Sequence, residues 1–463
     1  MYDYSKLVLG VAPTRRDFFP APANARAVKE VMMKRLREIF AKIPNLTVVD
    51  IDDINEEGLL FDYDAVPEIE KKFKEAGVDA VFFPHCNFGQ EEPVAMLAKK
   101  LNVPVLLWGP RDEYPPDPKV VPNRQTDIQC GLFATTKAMT RYDIPFTYIE
   151  NCWLDSPVLD KGIEDFIRTA SAVKAFRNCR ILQLSTRPRQ FLSVKYNESE
   201  LLEKFGIEVV AVESAEIVRT IKNILENKPE EVREVVEELK RDYVIMNDSD
   251  EQLSAMAGLA LGVMELADKY KCTAAAGECW SMIRANFSIN CCFTWGYLTG
   301  KGLPMACETD VLGAVTDVLM LGAARKEHDV FLADITIRHP ENDNAELFWH
   351  CGPFPVSLAK EDIKPAILTQ RGSYELAHTD YTLARFDQAK GNYSLFIGEG
   401  KGVDGPPTNG NYAWIEVKDW VAWEKQLMYG PYIHHCVGTP GRLKDVMIEA
   451  CKYIPGLTPD PAV

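Results

Sequence analysis

The sequence predicts an α/β protein with two consecutive open parallel-sheet α/β domains followed by a β-rich C-terminal domain. Three observations carry that expectation. Short apolar runs alternate with longer amphipathic stretches over the first two thirds of the chain. The runs lack polar alternation, as strands covered on both faces require. Beyond residue 330, short β-prone pieces separated by Gly- and Pro-rich turns take over, which reads as antiparallel sheet.

The first strand is expected at Leu7-Val8-Leu9-Gly10-Val11-Ala12, and the helical spacing of apolar residues predicts a helix over 25–43. Strands at 46–51, 80–84 and 105–108 then alternate with helices at 67–76 and 92–101. A second cycle has strands at 179–184 and 207–212, a charge-rich segment at 227–242 and a long apolar helix at 252–270. The mixed signs of the charged segment mark a solvated helix face. Strands at 330–336 and 381–386 follow, and the turn chemistry of 401–411 predicts a loop. The expected boundaries are 1–175, 176–330 and 331–463.

Of 463 residues, 46% are hydrophobic and 26% charged, with 29 Pro and 28 Gly spread along the chain, which is ordinary globular composition. The 52 basic against 68 acidic side chains leave a net charge of −16, the wrong sign for a general nucleic-acid or anionic-membrane surface. Neither partner is expected. No apolar run approaches the ~20 residues that span a bilayer, and Met1-Tyr2-Asp3-Tyr4-Ser5-Lys6 lacks a signal-peptide layout. A cytoplasmic location is expected. The 12 cysteines are scattered, Cys291-Cys292 are adjacent and no C-x-x-C occurs, so reduced thiols are expected rather than disulfides or structural zinc.

Among only 7 histidines, the pair His434-His435 stands in a Gly/Pro-bounded apolar segment, where one ring suits a divalent metal and a packing role is equally open. In Met305-Ala306-Cys307-Glu308-Thr309-Asp310-Val311, two carboxylates sit inside an apolar run. Burying them costs several kcal/mol unless a cation or hydrogen-bond donors compensate, while capping of the following helix by Thr309 or Asp310 is the alternative. Glu278, among small and apolar residues in Ala276-Gly277-Glu278-Cys279-Trp280, is a further candidate against a salt-bridged or edge role, and His350 reads as a core histidine or a ligand.

Jointly, Glu278, Asp310 and His435 form a hard two-carboxylate, one-imidazole set suited to Mn²⁺, Co²⁺ or Mg²⁺. His434, His350 and Glu308 stand behind them as second-tier ligands. The neighbouring Cys279, Cys307, Cys351 and Cys436 have no finger spacing and are read as small packing residues.

Cys307-Glu308-Thr309-Asp310-Val311-Leu312-Gly313 resembles the second metal-carboxylate motif of L-fucose isomerase, and Gly277-Glu278-Cys279-Trp280 falls where that family has its first. His434-His435 resembles the paired histidines near the C-terminal end of L-arabinose isomerases, and His350 the position of their extra histidine ligand. Gly10-Val11-Ala12-Pro13-Thr14-Arg15-Arg16 looks like the fucose isomerase segment with a substrate-binding arginine, which matches Arg16. The resemblance implies a fucose/arabinose isomerase-like fold and a metal-dependent aldose–ketose isomerase. Because that arginine reaches a neighbouring subunit's site in the family, it also implies a homo-oligomer, hexameric or trimer-based, with sites near subunit interfaces.

Isomerisation moves a proton between C1 and C2 of an open-chain sugar. A divalent ion chelating both oxygens would stabilise the enediolate, with Glu278 and Asp310 as catalytic base and acid. Trp414 in the C-terminal segment is expected to wall the sugar. Asn87 and Gln90, after a strand and before a helix, would meet substrate at a strand-end edge or cap the helix. L-fucose and D- or L-arabinose are the substrates expected first. The alternatives are a sulfonated or otherwise anionic hexose, with Arg15, Arg16, Arg187 and Arg189 holding the anion, and a non-catalytic sugar-binding or regulatory protein.

Overall fold

The computed structural model describes residues 2–18, 22–112 and 126–463. Two compact units emerge, Ser5–Val173 and Met1–Tyr4 with Lys174–Val463.

In the first unit, five parallel strands lie in the order Leu46–Val49, Leu7–Val11, Ala80–Pro84, Val105–Trp108 and Thr147–Tyr148. Alternate residues of the inner strands feed two separate cores. Phe82, Leu106 and Trp108 join Met32 and Leu36 in one, while Val81, Phe83, Val105 and Leu107 join Ile69 and Phe73 in the other. Helices on both faces explain why these strands read as unbroken apolar runs. At Gly10 a Cβ would come within 2.7 Å of the Phe73 ring, so only glycine lets the helix Val66–Glu75 pack this closely.

The second unit starts with a parallel sheet in the order Met305–Ala306, Ala274–Gly277, Arg180–Leu184, Glu208–Val212. The apolar helix Asp250–Lys269 begins in a capping box, with Ser249 and Gln252 each bonding the other's backbone. The charged segment forms the helix Pro229–Asp242, whose Arg233 pairs with Glu230 and Glu237 on the exposed face. Strand Ala274–Gly277 does not follow from propensity, because Ala and Gly are poor strand formers.

The β-rich part closes on itself. Asn392–Val403, Asp380–Ala389, His435–Pro440, Phe331–Arg338, Ala345–His350 and Asn411–Glu416 pair antiparallel in sequence around a ring. Pairing of Lys401–Val403 with Trp414–Glu416 seals it, which removes the open strand edges. The expected loop at 401–411 is therefore shorter, because ladder bonds hold Lys401, Gly402 and Val403 in the strand. Phe331, Phe348, Leu383, Phe396 and Ile415 share one core. The wholly buried helix Val311–Ala324 packs against this part, with Phe386 N donating to Thr316 Oγ1 at 3.0 Å. Among the described residues no helix is long and apolar enough to cross a membrane.

Glu346 on the strand Ala345–His350 has a buried Oε2 without a hydrogen-bond partner, and burial pushes its carboxyl up to about 7. A carboxyl raised on folding gives stability that is present below its unfolded value and lost as pH rises through its folded value. Glu346→Gln should therefore gain melting temperature over the parent as pH rises from 5 to 8. A difference that does not change with pH would contradict this.

Candidate active site

Three segments leave the same edge of the central parallel sheet. Leu184 pairs with Gly277, and Ala276 with Ala306, so the chain emerges side by side at Ser185, Glu278 and Cys307. Carboxyl-end edges of this kind are where α/β sheets place their ligands. Beyond Ala306 the chain makes a tight turn with Glu308 at φ 59° and Thr309 at φ 57°. Two successive non-glycine residues in the left-handed region cost of order 1–3 kcal/mol each. This strained turn carries Glu308 toward His435.

Asp310 follows and caps the helix Val311–Ala324, its Oδ1 accepting from Gly313 N at 3.0 Å. Arg385 donates to both carboxylate oxygens, Nη1 to Oδ2 and Nη2 to Oδ1 at 3.1 Å, and its Nε donates to Asp387 Oδ2 at 2.9 Å. His435 Nδ1 lies 2.8 Å from Asp310 Oδ2. All four side chains are buried. Burial alone would raise the Asp310 carboxyl, but Arg385 and His435 hold it well below the usual range. It is therefore anionic, and His435 Nδ1 carries the proton it donates. For His435, burial opposes charging, yet Asp310 and Glu308 push its pKa up to about 9.

That arrangement turns His435 Nε2 outward, 3.1 Å from Glu308 Oε2 and 3.5 Å from Asp334 Oδ1. His434 Nε2 and His350 Nε2 each lie 3.9 Å from the same Asp334 oxygen. Glu308, His434 and His435 present ligand atoms within 4.8 Å of one another. Asp334 Oδ1 is a buried carboxylate oxygen without a hydrogen-bond partner. A carboxylate oxygen that accepts no hydrogen bond and faces imidazoles, beside a histidine fixed by a carboxylate on its other nitrogen, is a donor set that fits a divalent cation.

Placement differs from expectation at several residues. Asp310 and Glu278 do not join this cluster. Both Asp310 oxygens are engaged by Arg385, His435 Nδ1 and Gly313 N, and its neighbour Glu308 occupies the facing position. Glu278 Oε2 accepts from the backbone N–H groups of Trp280 and Ser281, and Oε1 from the Ser281 hydroxyl, at the strand end next to Glu308. His350 Nδ1 accepts from Gly352 N at 3.1 Å, which leaves an N–H at Nε2 rather than a ligand lone pair. Trp414 is buried with Leu347 and Tyr412, and its indole N–H donates to Pro406 O. Two of the neighbouring cysteines meet a third thiol: Cys292 Sγ lies 3.3 Å from Cys351 Sγ and 3.9 Å from Cys279 Sγ.

Sequence reasoning missed Asp334 and Arg385. A lone carboxylate in Phe331-Leu332-Ala333-Asp334-Ile335 was the available signal for the first. Arg385 became visible only once the strands paired. In the other unit, Asn87 Oδ1 accepts from Arg16 N at 2.8 Å, Gln90 Oε1 from Asp17 N at 3.3 Å, and the Arg16 guanidinium lies 3.9 Å over the Phe88 ring. Neither amide caps the following helix. Arg15 is held by Glu57 through two nitrogens.

Residues 10–177 match the family described as fucose/sulfoquinovose isomerase, N-terminal domain. A sulfoquinovose isomerase from Alkalicoccus urumqiensis is 24% identical over 339 residues, covering 71% of this chain and 73% of that protein. One from Priestia aryabhattai is 20% identical over 381 residues, covering 80% and 83%. The match over residues 10–177 and these relatives support the fucose isomerase-like superfamily. The chain is a sugar isomerase of the aldose–ketose type. A myo-inositol-bound solute-binding protein from Bacillus halodurans C-125 covers 70% of this chain and 91% of its own, but at 14% identity and a TM-score of 0.18 the overlap carries no argument.

Removing the Asp310 carboxylate leaves Arg385 buried with one partner fewer. Asp310→Ala should lose about 3–5 kcal/mol of unfolding free energy in urea. A loss below about 1 kcal/mol would show that the pair does not anchor the site.

Proposed function

We propose that this chain is a divalent-metal-dependent aldose–ketose isomerase acting on an open-chain sulfonated hexose. The observation that carries the metal is the convergence of Glu308, His434 and His435 with an Asp334 oxygen that accepts no hydrogen bond. For the substrate, the names of the relatives favour a sulfonated hexose over L-fucose or the arabinoses.

Glu308 and His435 would hold the cation, with His434 and Asp334 completing the set. Mn²⁺ is the ion we expect, with Co²⁺ or Mg²⁺ as substitutes. Bound there, such an ion supplies charge stabilisation to the C1 and C2 oxygens and acidifies the intervening C–H. Asp310 fixes the His435 tautomer and ring orientation. His350 offers a hydrogen-bond donor to a substrate oxygen or to Asp334. Glu278, oriented by three hydrogen bonds at the neighbouring strand end, is assigned the proton transfer between C1 and C2. Arg16, Asn87 and Gln90 are assigned to sugar binding by the family resemblance, which also supports a homo-oligomer.

His435→Ala and Glu308→Gln should purify folded, with most of the metal lost by elemental analysis, and parent-like metal content in both would remove them as ligands. Glu278→Gln should keep its metal while kcat falls by about 10²- to 10⁴-fold. Retained turnover would reassign the proton transfer.

A further inference from the structure

The loop that follows Arg180–Leu184 carries Arg187 and Arg189, two of the arginines expected to hold an anionic sugar. Together with the start of the next helix it lines a cavity of about 510 Å³, whose walls include Arg187, Arg189, Lys195, Tyr196 and Glu198. Thr309 is also on the wall, one residue from Glu308 and from Asp310. Three cations against one carboxylate line this cavity, in a chain of net charge −16.

The cations are not used up within the protein. Among the described residues neither Arg189 nor Lys195 has a carboxylate within ion-pair distance, although exposed Lys and Arg elsewhere in this unit are widely paired. Arg187 has no acidic partner either. Its Nη1 donates to the carbonyls of Pro188, Arg189 and Phe191 at 2.9, 3.2 and 3.2 Å, which folds the loop around it. Tyr196 OH donates to Gln183 Oε1 at 2.6 Å and ties the far end of the loop to the strand.

Ring contacts fix the loop against the candidate metal residues. Phe191 meets Trp280 edge-on at 5.2 Å between centroids, and lies 6.2 Å from the His434 ring. Trp280 is the residue whose N–H bonds Glu278. The cationic cavity is thus attached to the same strand-end edge as Glu278 and Glu308.

We infer that Arg187, Arg189 and Lys195 form the subsite for a tetrahedral oxyanion at the end of the sugar remote from C1 and C2. The inference rests on the isomerase reading, and names the residues that would select a charged over an uncharged hexose. Charged hydrogen bonds to such an oxyanion are stronger than neutral ones, and the unpaired guanidinium and ammonium groups gain partners only when it arrives. A sulfonate and a phosphate share this chemistry.

The test compares the parent with Arg189→Gln, Lys195→Gln and the double variant, since Arg187 also shapes its own loop. Turnover is followed on a 6-sulfonated hexose, the 6-phosphate and the uncharged 6-deoxy sugar. We expect the parent to prefer one of the oxyanions, and the ratio of kcat/KM for that sugar over the uncharged one to fall at least tenfold for each cation removed. Preference for the uncharged sugar, or a ratio that does not move in the double variant, overturns the subsite. If the parent turns over none of the three, the isomerase reading fails and calorimetry with the 6-sulfonated hexose decides the subsite by itself. Affinity reduced a hundredfold or more in the double variant then supports it, and no binding by the parent, or equal affinities, overturns it.

Discussion

A guanidinium buried with two carboxylates organises this site. Arg385 comes from a strand of the closed antiparallel sheet, Asp310 from the end of the central parallel sheet and His435 from a second strand of the closed sheet. None of these charges is tolerable alone in the interior, since an unpaired buried ion costs several kcal/mol. Together they satisfy one another, and in doing so they lock a parallel-sheet element to an antiparallel one. The Phe386 to Thr316 hydrogen bond reinforces the same junction one residue along.

The consequence is chemical as well as structural. With Asp310 anionic and bonded to His435 Nδ1, the imidazole cannot rotate or change tautomer without breaking a buried charged hydrogen bond. Its Nε2 is then held toward Glu308, which a strained left-handed turn presents. Asp334 contributes an oxygen that the protein itself leaves unsatisfied. The cationic loop opens from the same sheet edge, so one rigid element sets the spacing between the reacting carbons and the proposed anion end of the sugar.

Much of this was legible in the sequence. Unbroken apolar runs such as Ala80-Val81-Phe82-Phe83-Pro84 announce strands buried on both faces, and the structure pairs them in a parallel sheet. The segments around Glu278, Glu308 and His435 stood out because carboxylates and imidazoles sat in apolar surroundings. The division of labour between Glu308 and Asp310 was not legible. Two acidic residues two positions apart look alike until the turn between them sends one outward and the other into a cap, and the left-handed φ of Glu308 and Thr309 has no glycine to signal it. Strand Ala274–Gly277 was hidden for a related reason, because its small residues serve close packing beneath the site rather than strand propensity. Arg385, in Tyr381-Thr382-Leu383-Ala384-Arg385-Phe386, gave no local cue to Asp310, which lies 75 residues away.

The most direct test is anomalous diffraction from crystals of the protein soaked in Mn²⁺, which locates the ion without reference to turnover. The account predicts one ordered peak in contact with a Glu308 oxygen and His435 Nε2, with Asp310 one layer behind and still bonded to Arg385. A peak on the Asp310 carboxylate, or no ordered manganese at these residues at saturating concentration, would contradict it.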